Sequence, residues 1–332
     1  MNILVIGASS VDVIAHSNSR ILAQHETNGT VKFRHGGAAR NITELLARLD
    51  IASKLLTAVG NDTAGTALLS ALQQMGIDTQ LSIAVPDTPT AANVHIMDLE
   101  GDIYTSVTGA CLAYRLTPQI IENSLSDEVD IVLADSTLDL ATLKYIAFQA
   151  TVPKKIFEPV SYFEWTDIVE LLPQFDIIKL SKFQAERLRG GMITSVADAK
   201  DCAKYLLNEK NLQTVFIILD EYGSIAANSQ EVVHVPAFQS KSFAKPGAEH
   251  AYTAAIVYGL QNNLTFYQTA LFAQACYALA LDLPQGEMEF FTLQKISDIL
   301  HDSTKIDVEH AEKTESTRNK TPRNEEEFLD IT

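Results

Sequence analysis

Apolar residues recur along this chain in two rhythms. Short runs at Ile3 to Ile6, Val129 to Ala134, Lys155 to Phe157, Asp176 to Leu180 and Thr214 to Leu219 read as strands. Between them apolar positions return at helical spacing, as at Ile42, Leu45, Leu46 and Leu49. Strands alternating with amphipathic helices predict an α/β fold, a mainly parallel sheet with helices on both faces. Punctuation agrees: Thr117-Pro118 reads as an N-cap and first-turn pair, and Gly76 ends a helix built on Leu68, Leu69 and Leu72. Two segments, about 13–33 and 91–107, are instead extended and alternating, with a hairpin turn expected at Leu99-Glu100-Gly101-Asp102. Beyond Leu300 the composition turns polar, so residues 1–302 are expected to form the folded unit and 303–332 a disordered tail.

With 332 residues, 46% of them hydrophobic, the chain can bury one large core or two modest ones. The formal net charge of −17 disfavours nucleic acid and anionic membranes as partners. Cys111, Cys202 and Cys276 are widely spaced and show no metal-ligand pattern, so they are expected to be packing residues in a reduced, cytoplasmic setting with no metal site. Met1 to Ile6 lacks a basic leader and breaks at Gly7, which reads as a first strand rather than a signal peptide. No apolar run is long enough for a membrane span.

Chemistry concentrates at small-residue turns. Gly247-Ala248 precedes a helical run of Ala251, Ala254, Ala255 and Tyr258, and a helix N-terminus behind a tight turn favours anions. Gly36-Gly37-Ala38-Ala39-Arg40-Asn41 opens a second helix, and Asp12 follows the first strand, where open α/β sheets place ligands. From pattern alone Asp12 is either a turn cap or an acceptor for ligand hydroxyls. Arg34 and His35 are expected to be solvated loop residues.

Together these segments resemble the PfkB or ribokinase-like family of carbohydrate and nucleoside kinases, over nearly all of the chain before the tail. Within it the chain resembles the pseudouridine kinases, through Val31-Lys32-Phe33, Glu158-Pro159-Val160-Ser161 and Phe272-Ala273-Gln274-Ala275-Cys276. The resemblance implies that the two extended segments form a small β lid over the substrate. It also implies that Asp12, Gly36, Gly37 and Asn41 bind a sugar or nucleoside; Ser10 replaces the asparagine usual two residues before the aspartate.

The phosphotransfer half departs from the family pattern. The family's D-T-T-G-A-G-D falls on Ala244-Lys245-Pro246-Gly247-Ala248-Glu249-His250, so His250 stands for the catalytic base and Glu249 for an anion-hole glycine. Gly247 and Ala248 remain of that hole. The metal-organising N-x-x-E falls on Ser181-Lys182-Phe183-Gln184, and Glu186, two residues on, is turned by about 200° from Gln184 on a helix. The strand from Thr214 runs into Asp220-Glu221-Tyr222-Gly223, keeping only the last glycine of a nucleotide loop. An acid about 4 Å from phosphate is repelled by roughly 4 kcal/mol at an effective dielectric of about 20.

The expectation is therefore a pseudokinase that keeps a small-molecule pocket, needs no cofactor, and acts as a ligand sensor, as a homodimer or as the partner of an active paralogue. In it His250 caps or packs the helix start, Lys245 is solvated, and Glu249 faces the helix N-terminus. The alternative is an active kinase using ATP and Mg²⁺ with His250 as its base. A third reading joins Glu249 and His250 in non-phosphoryl chemistry on a nucleoside.

Overall fold

The computed structural model describes residues 1–126, 128–160, 165–240, 247–283 and 288–301. The expected tail, with Ser161 and the Ala244-Lys245-Pro246 stretch, lies outside the described residues. In chain order the strands are β1 Ile3–Ile6, β2 Ser10–Ser17, β3 Gly29–Gly36, β4 Lys54–Leu56, β5 Ala58–Gly60, β6 Ile83–Val85, β7 Ala92–Met97 and β8 Ile103–Thr108. They continue as β9 Ile131–Asp135, β10 Lys154–Glu158, β11 Ile177–Ser181, β12 Thr214–Ile218, β13 Ser224–Asn228 and β14 Val232–Val235.

Eight strands form one sheet in the order β14-β13-β12-β11-β10-β9-β1-β4. It is parallel from β4 to β12, and β13 and β14 add an antiparallel edge. β1 explains why its strands read as continuous apolar runs. Ile3 and Val5 enter the core beneath the helices Ala38–Arg48, Glu249–Gln261 and Phe266–Asp282, while Leu4 and Ile6 enter the core on the other face. A strand buried on both sides has no polar face to alternate with. The expected helix punctuation is present, with Thr117 as N-cap of Pro118–Ser124 and Gly76 at φ 80° after Thr63–Gln74.

The lid is a separate four-stranded sheet, β3-β2-β7-β8, in which only the β2–β7 pair is parallel. The β7–β8 connection carries Gly101 at φ 90°, at the expected hairpin turn. Register places Arg34, Asp12, Asn93 and Thr108 in one cross-strand row, and Phe33, Val13, Val94 and Val107 in the next. Successive rows point to opposite faces, so the first faces the body and the second faces out. The lid begins earlier than the sequence suggests: Asp12 lies within β2 rather than in a loop after β1, because the chain turns at Gly7 and is already extended at Ser10.

Candidate functional site

A cleft of about 500 Å³ lies between the body-facing side of the lid and the carboxyl ends of β1, β9 and β10. Its walls bring together Asp12, Gly37, Asn41, Gly247, Glu249 and His250, which are dispersed over the sequence. Ligands of open α/β sheets bind at this end of the strands.

The lid side presents hydrogen-bonding groups to the cleft. Asn93 donates its Nδ2 to Asp12 Oδ1 at 2.9 Å, and Ser10 Oγ donates to the same oxygen at 3.3 Å, which aims the carboxylate while leaving Oδ2 for other donors. Gly36 is required because a Cβ there would lie 2.2 Å from Asp12 Oδ2. Gly37 sits at φ 96° with Ala8 O 2.4 Å from where a Cβ would stand, so side chains are refused on two counts. Arg40 donates from Nη1 to Asn41 Oδ1 at 3.0 Å, and its Nη2 pairs with Glu44 at 2.5 Å. With its oxygen engaged, Asn41 keeps an amide donor for the cleft.

Beneath this surface the buried Asp135 ties the parts together. Its Oδ2 accepts from Ala8 N at 2.8 Å and Ala39 N at 3.2 Å, and its Oδ1 accepts from the Thr137 amide at 2.9 Å. Burial pushes its pKa up against the hydrogen bonds from Thr137, Ala8 and Ala39. Neither Asn93 nor Asp135 was singled out from sequence; each is an isolated polar residue in a strand, and only the register gives it a partner.

His250 forms the floor. It is 6% exposed, and its Nδ1 lies 3.3 Å from Oε1 of the fully buried Glu158. The same oxygen pairs with Lys179 Nζ at 2.6 Å, and Thr253 Oγ1 donates to Oε2 at 2.6 Å. Burial would raise the pKa of Glu158, but Lys179 and then His250 outweigh it and hold the carboxyl low. Burial works against an imidazolium at His250, yet the Glu158 hydrogen bond and the Glu249 and Glu158 charges raise its pKa overall. His250 thus packs at the helix start against the Glu158–Lys179 ion pair.

Glu249 turns back so that its Oε2 accepts from Gly247 N at 3.0 Å, while Ala248 is buried at the helix N-cap. Glu249 and His250 therefore engage different partners, which separates the pair that a non-phosphoryl dyad requires. Ser181 and Gln184 bind each other in a capping box, and Gln184 Nε2 also donates to Pro159 O at 3.1 Å. Glu186 accepts from Ile193 N at 2.8 Å and serves a loop. Asp220 takes φ 51°, a left-handed conformation that favours glycine, and Gly223 takes φ 86°. Burial, then Glu221, raises the Asp220 pKa. Ser181, Gln184, Asp220, Glu221 and Gly223 stand outside the lining of the cleft.

Two expectations change at this site. Arg34 lies in β3 and lines the cleft, with His35 beside it half-buried; pairing of β3 with β2 removes the solvated loop assumed for them. Cys111 also lines the cleft, while Cys202 and Cys276 are buried and all three are free thiols.

Residues 1–285 match the model of the pfkB family carbohydrate kinases. The chain belongs to the PfkB family. It is 23% identical over 282 residues to the pseudouridine kinase of Escherichia coli, covering 84% of this chain and 90% of that protein. Ribokinase from Thermotoga maritima superposes with a TM-score of 0.78 at 20% identity, over 90% of this chain and 99% of that one. Arabidopsis thaliana ribokinase, solved with ribose and ATP, gives 0.76 at 17% identity, over 90% and 98%. These likenesses fix the ribokinase-like fold, and no described helix is long and apolar enough to cross a membrane.

Membership corrects the expectation that no cofactor is needed. PfkB kinases work with ATP and Mg²⁺, and a ribokinase of this fold holds ATP beside ribose, so nucleotide use is the expectation for this chain too. At the positions that the resemblance aligns with the family's phosphate and metal sites, the Gly247 amide is engaged by Glu249, and Ser181 and Gln184 bind each other.

Proposed function

We propose that this chain is a PfkB-family pseudokinase, binding a sugar or nucleoside at Asp12, Gly36, Gly37 and Asn41 while phosphotransfer to it is lost or slow. One observation carries the reading: the residue at the catalytic-base position, His250, is held against the buried Glu158, which raises its pKa. A general base must hold a free lone pair at working pH. A raised pKa keeps the imidazole protonated over a wider pH range than a free histidine and weakens it as a base, whereas an aspartate at this position is deprotonated at neutral pH. The proposal concerns the chemical step, with ATP and Mg²⁺ as the expected cosubstrate and metal.

Similarity to the pseudouridine kinase of Escherichia coli makes a nucleoside a natural candidate ligand. Three free cysteines suit a reducing, cytoplasmic compartment. The outward row of the lid, Phe33, Val13, Val94 and Val107, supports a second copy of the chain as partner, since apolar sheet faces of this kind favour association.

A second reading, an active kinase, draws on the same histidine: a carboxylate that fixes an imidazole beside a cleft is also how bases are oriented. A coupled ADP-release assay with pseudouridine and a panel of sugars separates the two. Turnover near background is expected, and Glu249→Gly with His250→Asp should restore little while Ser181 and Gln184 remain. Robust turnover by the unmodified protein, abolished in His250→Ala, would establish the active kinase instead.

A further inference from the structure

Asn41 presents a donor to the cleft because Arg40 turns its acceptor away. Arg40 Nη1 donates to Asn41 Oδ1 at 3.0 Å and to His35 O, near the end of β3, at 3.1 Å, while Nη2 meets Glu44 Oε2 at 2.5 Å. A guanidinium only donates, so the Asn41 atom that faces it is the oxygen. The amide nitrogen is left on the cleft side, 3.8 Å from where a Cβ on Gly247 would stand.

Ion pairing does not account for Arg40. Glu44 already meets Arg48, whose Nε and Nη2 lie 3.0 and 2.7 Å from Oε1. The Arg40 side chain is only 11% exposed, and taking a second cation out of water there costs desolvation. What it adds beyond that pair is its bond to Asn41 and its tie to the lid. The planar fork is held by acceptors on both β3 and the helix Ala38–Arg48, which fixes its direction. Without the fork, an asparagine amide in the first turns of a helix is free to rotate or to turn back on the helix's own carbonyls.

We propose that Arg40 is a positioning residue for ligand binding: it holds Asn41 as a donor opposite the acceptor Asp12, so that the cleft takes a ligand offering an acceptor oxygen to one and a hydroxyl proton to the other. The inference rests on the proposed sugar or nucleoside site, and it is independent of whether phosphotransfer survives.

Calorimetry on the full chain, with pseudouridine and ribose as probes, tests it as a double-variant cycle. Arg40→Met keeps the aliphatic stem and removes the fork, and Glu44 retains Arg48 as its counter-charge. This variant should weaken whichever probe the unmodified protein binds by about three- to tenfold, the range for one hydrogen bond. Asn41→Ala should weaken it at least as much. Arg40→Met combined with Asn41→Ala should bind no worse than Asn41→Ala alone, because Arg40 acts through the amide; a merely structural role for Arg40 would add its loss in both backgrounds. A thermal melt reports folding. Should Arg40→Met fail to fold, Arg40→Lys, which keeps a charge beside Glu44 without the planar fork, enters the same cycle with the same expectation. Additive losses, or full affinity in the Arg40 variant, overturn the positioning role and leave the pocket standing. Failure of the unmodified protein to bind either probe overturns the pocket and the role together.

Discussion

Glu158 holds Lys179 and His250 in a place where water cannot replace it, and its removal should be felt by the whole fold. Glu158 is 0% exposed and Lys179 1% exposed, with Lys179 Nζ 2.6 Å from one carboxylate oxygen and Thr253 Oγ1 2.6 Å from the other. Glu158→Gln keeps the shape but leaves an ammonium without a counter-charge and sets an amide N–H₂ against donors. Breaking a buried pair by deleting one partner costs about 3–5 kcal/mol, from about a fifth of a typical domain's total of roughly 5–15 kcal/mol to the whole of it. Urea unfolding at neutral pH should register that loss as a lower midpoint at unchanged slope. The double variant Glu158→Gln with Lys179→Met should regain part of it, since removing the ammonium removes the buried charge left without a partner. A loss under about 1 kcal/mol in the single variant, or no recovery in the double, refutes the idea that Glu158 neutralises Lys179.

The same network sets a pH dependence with two signs. Glu158 has a lowered pKa, so its contribution is complete above its unfolded value near 4.5 and is lost as pH falls through the folded value. His250 has a raised pKa, so its contribution is complete below its unfolded value near 6.5 and is lost as pH rises through the folded value. Both contribute fully between those two unfolded values, and stability should fall away on either side. In Glu158→Gln the His250 pKa should drop, because the Glu158 hydrogen bond is the largest influence raising it; an imidazole NMR titration reads this directly.

Two further outcomes follow from the lid. Asp12→Ala should weaken any sugar or nucleoside that binds the cleft by about 1.5–3 kcal/mol, as expected for hydrogen bonds to a charged acceptor; unchanged affinity in calorimetry would remove Asp12 from the site. Phe33 is 72% and Val107 66% exposed on the outward face, so sedimentation should find a dimer that Phe33→Asp dissociates without altering ligand affinity. A monomer at every concentration tested would reject the lid as a self-association face.

The parallel sheet was legible in sequence because a strand buried on both faces must be apolar throughout, as Ile3 to Ile6 is. The lid was legible only as extended chain. Its register came from pairing across distant segments, and register is what turns Arg34 from a solvated residue into part of the cleft wall opposite Asp12. Asn93 was invisible for the same reason, since its meaning lies 81 residues away at Asp12. The glycines of the first signature could be marked, but the cause for Gly36 is the Asp12 carboxylate lying where a Cβ would go. His250 makes the limit plainest. Sequence placed it at the base position and weighed base against packing, whereas the protonation that bears on that choice is set by Glu158, 92 residues away on β10, and by Lys179 on β11. Which chemistry a side chain can perform is thus decided here by partners brought in from other strands. The contact with Glu158 raises the His250 pKa and so narrows the pH range over which the imidazole can serve the attacking hydroxyl as a base.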